Sequence, residues 1–333
     1  MSSEQVALAV DEAASASQCP SSLESFRRFT SIAAKSASKP TRQSAYRFMH
    51  WNPWYLANYV DHALATESPW KDSAAVQSHA AKVRDVIAKH NPDVVSMVEV
   101  QGCSVLASIA DTIPAANYLP FSMKSGSSVS RNLGMLTRLL PTSGKLEPVP
   151  LQLAGVAWRK IYWTTFSIPQ LDFPLLFISL HLPNDPTSPQ KASQRNAITA
   201  AISKAVGTKI EEANGNLHVM ISGDMNDWDD QVLDGKNNKP ISHALDNLKH
   251  PRNAQGDVID GADLVNVASA LSKEERITFM YPSTYPQSLL DHWLVDKVLF
   301  RKMKVSIPHD WTPDQSENGF YSDHYPIIVD LKF

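Results

Sequence analysis

An α/β fold is what this 333-residue chain predicts, on three observations. Short apolar runs of strand length recur at Tyr46 to Trp51, Asp93 to Val98, Leu175 to Leu180 and Leu217 to Ser222. Between them lie stretches with helical spacing and recognisable helix starts. A hydrophobic content of 43% with eight Trp is that of a globular chain with a large core, not of a disordered one. Nearly every apolar run closes on a polar, acidic or imidazole residue. Groups of that kind, repeated at strand ends, point to one face of a sheet assembly where chemistry is done.

The elements follow in order. Residues 1–44 are Ser/Ala-rich, hold no strand-like run and read as a flexible tail, with a helical turn near Ser22 to Phe29. Val6 to Val10 is too short for a secretory signal and is followed by Asp11 and Glu12; these acidic residues also argue against a transit-peptide reading of the basic stretch Phe26 to Arg42. After the strand Tyr46 to Trp51, Asp72 or Ser73 can cap a helix running to about His90, with Val76, Ala80, Val83 and Ile87 on one face. Further strands are expected at Arg131 to Arg138 and Trp158 to Ile168. Ser188 caps and Pro189 begins a helix to about Ala205. A long polar loop region, Asp224 to Gly261, holds a helix near Ser242 to Leu248. Ala262 to Leu271 is expected to be helical, and Val295 to Val305 and Tyr325 to Leu331 to be strands. No internal repeat or linker interrupts residues 45–333, so one domain follows the tail.

Bulk properties narrow the function. A net charge of -3 argues against a protein that grips duplex DNA tightly by phosphate neutralisation alone. It leaves room for an enzyme that brings cations to a phosphate. Two cysteines, Cys19 and Cys103, imply neither a disulfide framework nor a thiolate metal cluster. No apolar run approaches the length of a membrane span. A monomer without stable membrane insertion, intracellular by preference, is the expectation.

Six segments carry the chemistry: His50-Trp51-Asn52, Ser96-Met97-Val98-Glu99, Ser179-Leu180-His181-Leu182, Gly223-Asp224-Met225-Asn226-Asp227, Leu290-Asp291-His292 and Ser322-Asp323-His324. In kind and order this set resembles the endonuclease/exonuclease/phosphatase (DNase I-like) superfamily over about Tyr46 to Phe333, and Asn132-Leu133-Gly134-Met135-Leu136 is similar to the family's strand ahead of the His segment. The resemblance implies a four-layer α/β sandwich, two mainly antiparallel sheets face to face with helices outside. It also implies hydrolysis of phosphate esters assisted by Mg²⁺ or Mn²⁺.

Such chemistry needs positive charge on the phosphate, a base for water and a stabiliser of the oxygens. By resemblance, Glu99 is the principal metal ligand, with Asn52 and Asp323 near the metal or its water shell. Asp224 orients the nucleophilic water, and Asn226 binds the phosphate without adding charge. His324 is the base and Asp291 its orienting partner. His181 contacts a non-bridging oxygen, and Asn52 also serves the substrate. Arg131 and Arg195 are further candidates for phosphate. Trp228 is read as packing before base stacking, and His292 as pointing to the opposite face of its strand. Pro53 departs from the family pattern, which leaves Trp54 and Tyr55 without a role. Nucleic acid is the expected substrate. A phospholipid or phosphoinositide is the alternative, and a non-catalytic binding module on the same fold is the remaining rival.

Overall fold

The computed structural model describes residues 44–60, 70, 72–113, 116–125, 131–151, 155–280, 287–311 and 322–333. The expected tail, with its turn near Ser22 to Phe29, lies outside the described residues apart from Ser44.

Among the described residues, twelve strands form two six-stranded sheets. One has the order β11 (Met303–Ser306), β12 (Ile327–Lys332), β1 (Ala45–Trp51), β2 (Val94–Val100), β4 (Asn132–Thr137), β3 (Leu119–Met123). The other runs β5 (Glu147–Pro148), β6 (Ile161–Phe166), β7 (Leu175–His181), β8 (His218–Asp224), β10 (Asp291–Asp296), β9 (Leu264–Asn266). Pairing is antiparallel except for β1 with β2 and β7 with β8.

The sheets pack face to face. Phe48 of β1 meets Phe177 of β7 and Trp293 of β10, and Trp293 Nε1 donates to Ile327 O across the interface. Because side chains alternate along a strand, the second face of each sheet needs its own cover. Helices α1 (Ser73–His90) and α2 (Cys103–Thr112) cover the first sheet with Val83, Ile87, Leu106 and Ile109. Helices α3 (Pro189–Glu212) and α4 (Ala244–Lys249) cover the second with Ile198, Ile202, Val206, Leu245 and Leu248. Helix, sheet, sheet and helix make the four layers of the DNase I-like sandwich. No helix among the described residues is long and apolar enough to cross a membrane.

Local chemistry explains the boundaries. The Asp72 side chain accepts from Ala75 N to start α1, and the Ser188 side chain accepts from Lys191 N to start α3. Helix α3 continues past Ala205 because Val206 and Ile210 prolong its buried face. Gly207 lies there because a Cβ would fall 1.9 Å from Arg252 O.

Two expectations fail. Ala262 to Leu271 is not a helix: Leu264–Asn266 joins the sheet edge beside β10, and the Asn266 side chain then caps a 3₁₀ turn, Val267–Ala270. Val295 to Val305 is not one strand. The Asp296 carboxylate accepts from Val298 N and Leu299 N, turning the chain into the one-turn helix α5 (Lys297–Phe300) before β11.

Candidate active site

Strand register brings the polar ends together. Parallel pairing sets His181 of β7 opposite Asp224 of β8, and antiparallel pairing sets Asp291 of β10 opposite the same Asp224. All three stand in line on the face shared with Phe177, Met220 and Trp293, which looks into the gap between the sheets. Strands β7 and β8 approach closely at Gly223, where a Cβ would fall 2.2 Å from Leu180 O. The other sheet supplies Asn52, just after β1, and Glu99, near the end of β2. His324 and Asp323 precede β12.

Glu99 is aimed by a kink. The β2–β4 register shifts between Met97 and Val100, and Glu99 adopts φ 55. A non-glycine residue there is sparsely populated and costs of order 1–3 kcal/mol. Trp54, Tyr55 and Asn226 also have positive φ, and all four line one cavity of about 230 Å³. Asn52, Arg131, His181, Asn184, Asp185, Pro186, Asp224, Trp228, Phe279, Ser288, Leu290, Asp323 and His324 complete its wall.

The centre is a chain of charged contacts. Asp291 Oδ2 lies 2.6 Å from His324 Nδ1, which leaves His324 Nε2 toward the cavity, 3.8 Å from Asp224 Oδ2. Asp224 accepts from Asn52 Nδ2 at 3.1 Å and from Asn226 N at 3.0 Å. His181 Nε2 is 3.7 Å from Asp224 Oδ2 and 3.8 Å from Glu99 Oε1, whereas its Nδ1 is buried without a hydrogen-bond partner among the described residues.

Burial dominates the protonation of this group, and neighbours then divide it. Burial alone would lower His324, but the charges of Asp291 and Asp224 push it up to about 10. Burial would raise Asp291, but the charge and hydrogen bond of His324 hold it below the usual carboxylate range. Burial pushes Asp224 up to about 7 against the charge of His324, and Asp323 up to about 6, where Glu99 adds repulsion. Glu99 itself is raised by burial against the pull of Arg131 and Lys160. His181 is lowered well below the usual imidazole range by burial, then by Lys160, His324 and Arg131. It is therefore a neutral ring.

This donor set fits a hard divalent cation. Glu99 and Asp323 offer two desolvated carboxylates that repel each other, and Mg²⁺ takes oxygen ligands, often from only one or two carboxylates. Asn52 commits Nδ2 to Asp224 and Oδ1 to Trp54 N, which leaves its oxygen one further lone pair. Asp224, Asp291 and His324 also have ligand atoms within 4.8 Å of one another, but the Asp291–His324 contact already occupies one donor of each.

Of the candidates, Asn52, Glu99, Arg131, His181, Asp224, Asn226, Asp323 and His324 line the cavity, with Asp291 directly behind. Arg195 does not reach it. Its side chain is fully buried, donating to Pro183 O, Asp185 O and Pro186 O and lying 3.5 Å from Asp227, so it braces the loop of the cavity wall. His292 faces away, with Nε2 on Asp227 O and Nδ1 on Asn266. Trp228 packs with Phe279 and Leu290 and still borders the cavity. Sequence reasoning missed Phe279, which a bridge to His324 brings in, and Asn184 to Pro186, which a Pro-rich loop directly after His181 could have signalled.

No protein-family model matches the chain, and no curated protein matches it by sequence. Solved structures do match. An endonuclease/exonuclease/phosphatase family protein from Bacteroides thetaiotaomicron is 16% identical with TM-score 0.53, over 87% of this chain and 98% of that one. TDP2 of D. rerio, complexed with a single-strand DNA product, is 18% identical with TM-score 0.51, over 86% and 99%. The 3′ phosphatase NExo from Neisseria, bound to a product DNA hairpin, is 15% identical with TM-score 0.55, over 87% and 100%. The fold is thus that of endonuclease/exonuclease/phosphatase proteins.

Proposed function

We propose that this chain is a divalent-metal-dependent phosphodiesterase acting on nucleic acid. The observation that carries the proposal is the row His181, Asp224, Asp291 with His324 beside it, at a cavity that Glu99 and Asp323 also line.

Each group has a task that its surroundings support. The Nδ1–H of His324 donates to Asp291, which fixes the ring and its tautomer. Nε2 is then free to take a proton from water as the water attacks phosphorus in line. Asp224, held by Asn52 and Asn226, orients that water. The neutral His181 directs its Nε2–H toward the cavity, where the acceptor oxygens of Asp224 and Glu99 face it, and so can donate to a non-bridging oxygen. Arg131, which contacts Tyr55 OH and lies 5.0 Å over its ring, adds positive charge beside Glu99. Bound at Glu99 and Asp323 with Asn52 nearby, Mg²⁺ or Mn²⁺ would neutralise charge on the phosphoryl oxygens. Positive charge there would also lower the proton affinity of His324, which Asp291, Asp224 and Asp323 together raise.

Two considerations favour nucleic acid over lipid. Structures of this fold from D. rerio and Neisseria hold DNA products. The cavity is also bordered by Trp54, a half-buried ring on which a base can stack at about 1–3 kcal/mol. The Trp158 to Trp163 segment makes no lipid anchor, because Trp163 is buried and Trp158 donates to His181 O. The test is cleavage of single- and double-stranded DNA, RNA, sphingomyelin and phosphoinositides with Mg²⁺ or Mn²⁺. Metal-dependent cleavage of a nucleic acid is expected; turnover confined to the lipids would refute the substrate class. We place residues 45–333 in one catalytic domain that acts as a monomer.

A further inference from the structure

His50 opens one of the six segments, yet the mechanism above gives it no task. It lies on β1, fully buried between the sheets, and its ring spans the gap. Nδ1 is 3.4 Å from Ser96 Oγ, on the residue paired with His50 across β1 and β2. Nε2 is 3.4 Å from Asp291 Oδ1 on the opposite sheet. Among the described residues neither Nε2 nor Oδ1 has a hydrogen-bond partner, and this contact is the ion-pair approach between them. Leaving a buried polar atom unmatched costs about 1–3 kcal/mol, more for a charged one, so each is the other's natural partner.

The rest of the surroundings fixes the direction. Ser96 Oγ is 2.6 Å from Ser179 Oγ and 3.5 Å from both Ser222 Oγ and Tyr162 OH. This hydroxyl cluster lies on the Nδ1 side of the ring. A carboxylate oxygen can only accept, so the ring proton that Asp291 Oδ1 calls for is one on Nε2. Asp291 Oδ2 is already engaged by His324 at 2.6 Å. The carboxylate thus has one imidazole on each side, in contact at 2.6 Å through Oδ2 and at 3.4 Å through Oδ1.

We propose that His50 is a positioning residue for the reaction. Its Nε2–H donates to Asp291 Oδ1, and the Ser96–Ser179–Ser222–Tyr162 cluster holds its ring, so that Asp291 Oδ2 stays aimed at His324 Nδ1. The inference rests on His324 being the base. A histidine that merely fills the core would contribute volume but no directed donor, and that difference can be measured.

The experiment uses the full chain with His50→Leu, His50→Phe and His50→Gln. Gln can present its Nε2 amide near the same point, whereas Leu and Phe fill space without a donor. Steady-state kinetics are run on a single-stranded DNA oligonucleotide with saturating Mg²⁺. The proton resonance of His324 Nδ1, assigned by its loss in His324→Ala, is recorded at one pH in EDTA. Removing an outer partner of a functional side chain typically costs about 10- to 100-fold, so His50→Leu and His50→Phe should lower kcat by that factor. KM should stay within about twofold, since substrate binding is not touched. His50→Gln should recover most of kcat, and the resonance should move in the Leu and Phe variants and return toward its native position in Gln. Equal kcat in Gln and Leu variants, or an unmoved resonance in Leu and Phe, would overturn the proposal. Should Leu fail to fold, Phe against Gln decides. Wild-type kcat in His324→Ala would instead refute the base assignment, while the resonance still reports whether His50 acts on the Asp291–His324 contact.

Discussion

Replacing Glu99 by Gln should move stability and metal response in opposite directions. In the metal-free protein Glu99 is a 13% exposed carboxylate that burial disfavours and that repels Asp323. Asp323 rises from 3.8 to about 6, which corresponds to about 3 kcal/mol from all causes together. Burial is the largest of these and Glu99 a smaller one, and Glu99 is itself attracted by Arg131, Lys160 and His324, so removing its charge should relieve at most about 1 kcal/mol. At neutral pH the Gln variant should therefore melt at most about 2–4 °C above wild type in EDTA, given the usual scaling for a domain of this size. Its amide oxygen can still accept from the Tyr55 backbone, as the carboxylate does. With Mg²⁺ the order should reverse. A ligand at 100 times its Kd stabilises by about 2.7 kcal/mol; wild type should show that gain and Glu99→Gln should lose most of it. Thermal melting in EDTA and across a Mg²⁺ series decides. A Gln variant less stable than wild type in EDTA, with an undiminished Mg²⁺ response, would refute the ligand assignment.

Three further outcomes follow. Asp224 and His324 have pKa values raised to about 7 and about 10, so their stabilising contributions are complete below their unfolded values and are lost as pH rises through the folded ones; above the range in which the lowered His181 and His292 titrate in the unfolded chain, from about pH 7 to pH 9, the melting temperature in EDTA should fall, and a rise there would contradict the site's electrostatics. Asp224→Asn and His324→Ala should each lower kcat by about 10²–10⁴, and the double variant should lose little more because both disable one step; multiplicative losses would separate their roles. Deleting residues 1–44 should leave melting temperature and turnover near wild type, and a large drop in either would place the tail within the folded unit.

The sequence made the site legible because its residues end strands, and strand register did the rest. Asp224, Asp291 and His181 are far apart in the chain, yet each closes an apolar run, and pairing sets those ends side by side. The helices starting after Asp72 and Ser188 were legible from their caps. Arg131 and Arg195 look alike in sequence as phosphate candidates; only three-dimensional packing separates them, with Arg195 buried against three carbonyls. His50 carried no signal of its own, since its partner Asp291 lies 241 positions away on the other sheet. Leu264–Asn266 reads as helix from composition, and its place at the edge of β10 overrides that preference.

The most direct measurement is cleavage of an end-labelled single-stranded DNA by wild type and His324→Ala, each with Mg²⁺ and with excess EDTA. The account predicts turnover only by wild type with Mg²⁺, with His324→Ala reduced by about 10²–10⁴ while its circular dichroism spectrum is unchanged. Full activity of wild type in EDTA, or near-wild-type turnover by His324→Ala, would contradict it.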